Sequence, residues 1–543
     1  MRKAIGLGLL GIVGLVACGS SDDGAAASID DDPGRNGQVG SSTDPTDPAP
    51  VAPPSTSAPT PSAPPPAEVP PAPVVRGLSI TDLAVFQGVK VPVMKAGALV
   101  KATERNAPVV ANRPGMLRVY VSPEAGWTPR AVTAELRLAS GTTKFPILRD
   151  TKVISAASKE EEPKSTFDLE FPADSVPADA TFQVSLTVPD GEDPEAVGAT
   201  KARFPEDGTT TDLGAALSGK LRMVVVPVRY DADGSGRTPT VTGAQKLLYQ
   251  QTLLKMYPTS EIEVTAHEPM PFASKISSNG GGYPAVLRAI TDLRQKDDVD
   301  KDVYYYGLLE PAATWESYCG RGCVTGLSSI VDDADSAAMR ASVGVGFDGQ
   351  IAANTMAHEV GHAHGRLHAP CGGPASPDPR FPYQGGGIGV WGYDILAKTL
   401  ISPSKGTDVM GYCPNVWVSD YTYDALFNRI VAVSGQKGAD SSSPQSSGPK
   451  KSGQFRVATV DGNDELSWDG DITINDARDL RGGKSRQARF MTAAGAQALT
   501  REAKFFAFDH LPGGFLFVPK DEAVDATRWK TVEIDGFARA LER

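Results

Sequence analysis

Residues 353–368 hold three histidines and a glutamate at a spacing that can bind a metal ion and activate water on it. His358 and His362 stand four apart; on a helix such residues share a face, so both imidazoles can reach one ion. Glu359 is displaced around the helix, yet its side chain is long enough to reach a water on that ion. Gly365 comes three residues after His362, where a left-handed residue would end the helix and turn the chain back. That turn can deliver His368 as a third ligand. Three protein ligands leave the fourth zinc position open for water, as hydrolysis requires. The chain has six histidines, and four fall in the eleven residues 358–368. His364 lies outside the spacing and takes no role.

His358, Glu359, His362, Gly365 and His368 match, position by position, the extended zinc motif of the metzincin clan of metallopeptidases. The resemblance implies one catalytic Zn2+ on the three histidines and peptide hydrolysis with Glu359 as general base on the metal's water. It also demands a methionine turn beneath the metal. Met410, forty-two residues after His368, would form that apolar floor. Tyr412 matches the place where some metzincin families carry a tyrosine that binds the metal or the transition-state oxyanion. Ala369, directly after the third histidine, matches none of the best-known groups, so the resemblance names the clan and no subfamily.

The Gly-rich span 381–394 lies between the ligands and the turn. In this fold that region borders the primed-side specificity pocket, so the resemblance places substrate contacts at Trp391 and Tyr393. If the turn packs under the ligands, Cys371 and Cys413 emerge near each other. Cys371–Cys413 and a local Cys319–Cys323 pair are the expected bridges, out of three connectivities. Cys18 is the sole cysteine upstream, so no propeptide cysteine is expected to silence the zinc.

The elements that must position this segment are legible from pattern. Residues 77–210 show short alternating runs at 117–121, 134–138 and 182–188, separated by Pro-, Gly- and Asp-rich turns, and read as a β-sandwich-like domain. Residues 211–438 mix types: apolar strands at 221–228 and 302–309, with helical spacing over 243–256 and 284–295. They read as an α/β (α+β) metzincin-like catalytic core. A Ser-rich linker spans 439–453, and 454–543 reads as a small, mainly β C-terminal domain with its clearest strand at 514–518. The layout over residues 77–435 is similar to that of large secreted bacterial metallopeptidases that cleave mucins.

Residues 1–18 carry Arg2, Lys3 and an apolar stretch too short to span a membrane, and end in a segment that resembles a bacterial lipobox. The resemblance implies cleavage before Cys18, lipidation of its sulfur, and an outer-membrane or cell-surface protein, anchored or released. Residues 19–76, rich in Pro, Ala and Ser, read as a solvated tether. A net charge of −12 without a basic block argues against a nucleic-acid partner. Asp231, Asp233 and Ser235 open like a calcium loop, but Thr242 stands where a bidentate glutamate is needed, so a strand-ending turn is expected and structural Ca2+ is unsupported. The expected function is a zinc endopeptidase acting on extracellular protein or glycoprotein. The alternative is a tethered adhesin or glycan-binding lipoprotein with the zinc core secondary.

Overall fold

The structure, a computed structural model, describes residues 74–188, 200–347, 349–435 and 449–543. The expected signal, Cys18, nearly all of the tether and most of the linker lie outside the described residues.

The N-terminal part forms two facing antiparallel sheets. Leu78–Phe86 pairs with Lys90–Lys95 on one side and Gly115–Pro123 on the other. Arg130–Ser140 pairs with Thr181–Thr187 and Leu148–Ile154. Side chains alternate across a strand, so Phe182, Val184 and Leu186 share the inner face, where all three are buried. Their core does not stop at residue 210. It runs on through Tyr249, Met256 and Tyr257 to Val360 in the catalytic part. Arg113, fully buried, donates to the carbonyls of Thr259 and Leu254 at 2.6 Å each. Tyr423 in turn donates to the Gln87 carbonyl at 2.7 Å. A change in composition thus marks no break in packing.

The central sheet runs Ile262–Ala266, Leu221–Tyr230, Val303–Leu309, Ala341–Val345, all parallel, with Gly326–Ser328 antiparallel at the edge. Val303–Leu309 is buried on both faces, as a parallel strand between helical layers must be. Tyr304, Tyr306 and Leu308 join the cluster containing the helices Gly243–Met256 and Gln350–Ala363. Val303, Tyr305 and Leu309 join the cluster of the helix Tyr283–Lys296. The Asp231 segment is a turn, its carboxylates paired with Arg229 and Arg237.

Seven antiparallel strands make the C-terminal part, from Gly453–Val460 to Leu541–Glu542. Its Phe455, Val457, Phe506, Phe515 and Phe517 pack in the same cluster as Val286, Leu287 and Ile290 of the helix Tyr283–Lys296. The C-terminal sheet therefore covers the helix from outside. Its strands Gln497–Ala507 and Gly514–Pro519 are joined by a turn, residues 508–513, that points back into the catalytic part.

Candidate active site

The helix Gln350–Ala363 carries His358, Glu359 and His362 and ends where glycine permits it. Gly365 has φ +82°, and a Cβ there would lie 2.7 Å from the Val331 carbonyl. Its N–H closes on the His362 carbonyl, and the Arg366 N–H reaches back to Gly361. The reversed chain brings His368 to the first two histidines, with ring centroids 5.4 Å from His358 and 4.6 Å from His362. His364 faces away: buried, it stacks on Tyr304 at 4.3 Å.

Each of the three histidines uses Nδ1 to bond a backbone carbonyl: His358 to Val409 at 2.7 Å, His362 to Arg366 at 2.6 Å, His368 to Ala375 at 3.0 Å. Carbonyls only accept, so each Nδ1 bears the proton and each Nε2 presents a lone pair. Those of His358 and His362 face each other at 3.0 Å. Burial, reinforced by mutual repulsion, pushes His358 far below the usual histidine range and His368 down to about 3. Burial also takes His362 down to about 4, against the pull of Asp509. Three neutral nitrogens with converging lone pairs fit a borderline divalent cation such as zinc.

Met410 is buried under the helix, its sulfur against Gly361. Its turn also orients the ligands. Val409 supplies the carbonyl for His358, Met410 accepts from the Ala369 N–H at 2.9 Å, and Tyr412 donates its N–H to the Cys371 carbonyl. Buried Asp408 fastens the turn, accepting from the N–H groups of Met410 and Ser419. Disulfides join Cys371 to Cys413 and Cys319 to Cys323.

Glu359 is fully buried against Gly326, where any Cβ would strike its carboxylate at 2.2 Å. Its Oε2 has no hydrogen-bond donor among the described residues. The Tyr412 hydroxyl lies 3.0 Å from His368 Nε2. Burial, then Asp509 and Glu359, keep that phenol protonated, so it remains a donor.

Residues 335–446 match the family model of Peptidase M66, a span that includes the helix, His358, His362, His368 and the turn at Met410. The chain is a zinc metalloprotease. The M66 segment ends before the C-terminal domain begins, and the sequence matches no curated protein. A solved structure described as a β-galactosidase from Bacteroides fragilis is similar at 12% identity over 43% of this chain and 38% of its own, with a TM-score of 0.12.

The structure does not gather every expected residue at the histidine cluster. Tyr393 is buried against the N-terminal domain, its ring edge-on to Phe86 and its hydroxyl on Glu170. Trp391 packs beside it in the same small cluster. Their segment docks two domains, and the ring contacts of Tyr393 among the described residues are with the N-terminal domain. In the other direction, pattern reading missed two residues. His510 places a ring nitrogen within 4.8 Å of those of His358, His362 and His368. Asp509, fully buried, lies 3.2 Å from His362 Nε2. The available signal was rarity: His510 is one of two histidines outside residues 358–368, and it follows an acid in a tight turn between strands.

Proposed function

We propose that this metalloprotease is an endopeptidase that cleaves extracellular protein or glycoprotein, with Glu359 as general base and Tyr412 as oxyanion donor. The observation that carries the reading is the convergence of three proton-free Nε2 atoms beside the buried carboxyl group of Glu359. His358, His362 and His368 would hold the Zn2+, which when bound supplies Lewis acidity for the scissile carbonyl and the attacking water. Glu359 takes the proton of that water and passes it to the leaving amine. The Tyr412 hydroxyl donates to the oxyanion as charge develops there. The backbone bonds at each Nδ1 hold the imidazoles in one tautomer and one orientation throughout.

The lipobox-like segment supports export and anchoring through Cys18, and with it an extracellular substrate. Cleavage-site profiling of purified, zinc-loaded protein against secreted and mucin-type glycoproteins tests the reading. Zinc binding without cleavage of any member would leave the adhesin alternative in its place.

A further inference from the structure

The edge of the central sheet is already occupied. Gly326–Ser328 is paired on one side only, to Ala341–Val345, and an edge strand offers free N–H and C=O groups to any extended peptide. The occupant here is the chain's own C-terminal domain. Ser329 pairs antiparallel with Phe508, the Ile330 N–H bonds to the Ala507 carbonyl at 2.9 Å, and the Asp509 N–H bonds to the Ser328 carbonyl at 3.2 Å. The Asp509 side chain accepts from the Ser328 N–H at 2.9 Å.

This pairing carries residues 507–509 along the edge and sets His510 at its end. The imidazole fills the space where hydrolysis would occur. Its Nε2 lies 2.8 Å from Glu359 Oε1, and its Nδ1 hydrogen-bonds the Tyr412 hydroxyl. The base and the oxyanion donor are thus both engaged by one ring, which also lies with the three histidines in a single four-nitrogen group. The turn is rigid enough to hold it there. Phe508 packs edge-on against Phe515 at 4.9 Å, the Phe508 N–H closes on the Gly513 carbonyl, and Leu511 wedges against Gly280.

We propose that the C-terminal domain is an intramolecular inhibitor: residues 507–510 lie on the sheet edge as a peptide would, and His510, exchanging one of its two hydrogen bonds for the ion when metal is bound, is a fourth metal donor that closes the site. A zinc ion held by four protein groups has no position for water, the signature of a structural site rather than a catalytic one. The inference rests on the peptidase reading for its consequence, latency, but its coordination claim stands apart from activity. Activation then requires that residues 507–510 leave the edge, and a substrate strand takes their place.

The test uses the full chain loaded with Co2+, comparing wild type with His510→Ala and His510→Gln, folding checked by thermal melting. The visible spectrum of the wild type should be the intense one of a four-coordinate ion. Both variants should give bands shifted in position and intensity as water replaces one nitrogen donor, and a chelator should strip their metal roughly tenfold faster or more. With zinc, both should cleave a quenched peptide library at least about tenfold faster than wild type. Unchanged spectra and stripping rates overturn the proposal, as does a fall in cleavage by folded variants, which would make His510 a working part of catalysis. If no protein cleaves anything, the peptidase reading fails while the spectra still decide whether His510 is a donor.

Discussion

Gly361 rests directly on Met410: a Cβ on the glycine would sit 2.4 Å from the methionine sulfur. The helix bearing His358 and His362 meets the turn that orients His358 at the helix's one glycine. Gly361→Ala gains up to ~1 kcal/mol in helix propensity. It must also force the helix and turn apart, at a cost of ~1–3 kcal/mol for overpacking. The expected result is a lower Tm together with weaker zinc retention, since the Val409 carbonyl moves with the turn. A variant with wild-type Tm and zinc content would show that the contact relaxes freely.

Glu359→Ala and His358→Ala should both be inactive, yet differ in metal. Glu359 contributes no nitrogen to the cluster, so its loss removes the base, worth ~10²–10⁴ in rate, and leaves zinc bound. His358→Ala breaks the donor set. Zinc by mass spectrometry beside the cleavage rate separates them, and a Glu359→Ala protein with wild-type rate would remove the carboxylate from the mechanism. Chelation of the wild type should lower Tm by several degrees, because bound metal stabilises only the folded chain.

Tyr412→Phe keeps the ring and deletes the donor. The expected loss is ~10²–10³ in kcat with KM little changed, the pattern of an interaction made only in the transition state. Steady-state kinetics on one peptide checks it, and a change confined to KM would reassign the hydroxyl to ground-state binding.

The Cys371–Cys413 bridge closes a loop across 42 residues, tying the segment after His368 to the methionine turn. Its removal in a Cys371→Ser/Cys413→Ser protein should cost about 2–4 kcal/mol by freeing the unfolded chain. Denaturant titration reads this directly. Equal midpoints for the two proteins would place the stabilisation elsewhere.

The C-terminal domain is held to the catalytic part by buried Asp476, which pairs with Lys301 at 3.1 Å. Hydrogen bonds from Arg478 outweigh burial and, with Lys301, hold its carboxyl well below the usual range. A depressed carboxyl stabilises the fold above its unfolded-state value of ~3.9 and loses that contribution as pH falls toward the folded value. The Tm gap between wild type and Asp476→Asn should therefore be constant from neutrality to ~pH 4.5 and shrink below ~pH 4. A gap independent of pH down to 3 would show that the ion pair contributes nothing.

The zinc site was legible because its parts are close in sequence and each needs a rare residue. A helix face, a glycine with positive φ and a third histidine fit within eleven residues, and periodicity placed the helices 243–256 and 284–295 to within a residue or so. What stayed hidden depends on how sheets stack. Nothing local in residues 508–513 says that their strands cover the helix Tyr283–Lys296 and aim the turn at Glu359. Tyr393 shows the converse: its position in a glycine-rich span between ligands and turn suggested substrate, while its neighbour in space, Phe86, lies in another domain.

Arg113 has a bearing on how such a chain can change by recombination. Its guanidinium leaves the N-terminal sandwich to satisfy carbonyls at the end of the helix Gly243–Met256, with no exposure to water. Exchanging the sandwich for another of the same shape would strand those acceptors, each at a penalty of ~1–3 kcal/mol. The two modules look separable on a map of the gene, but they have to be inherited together.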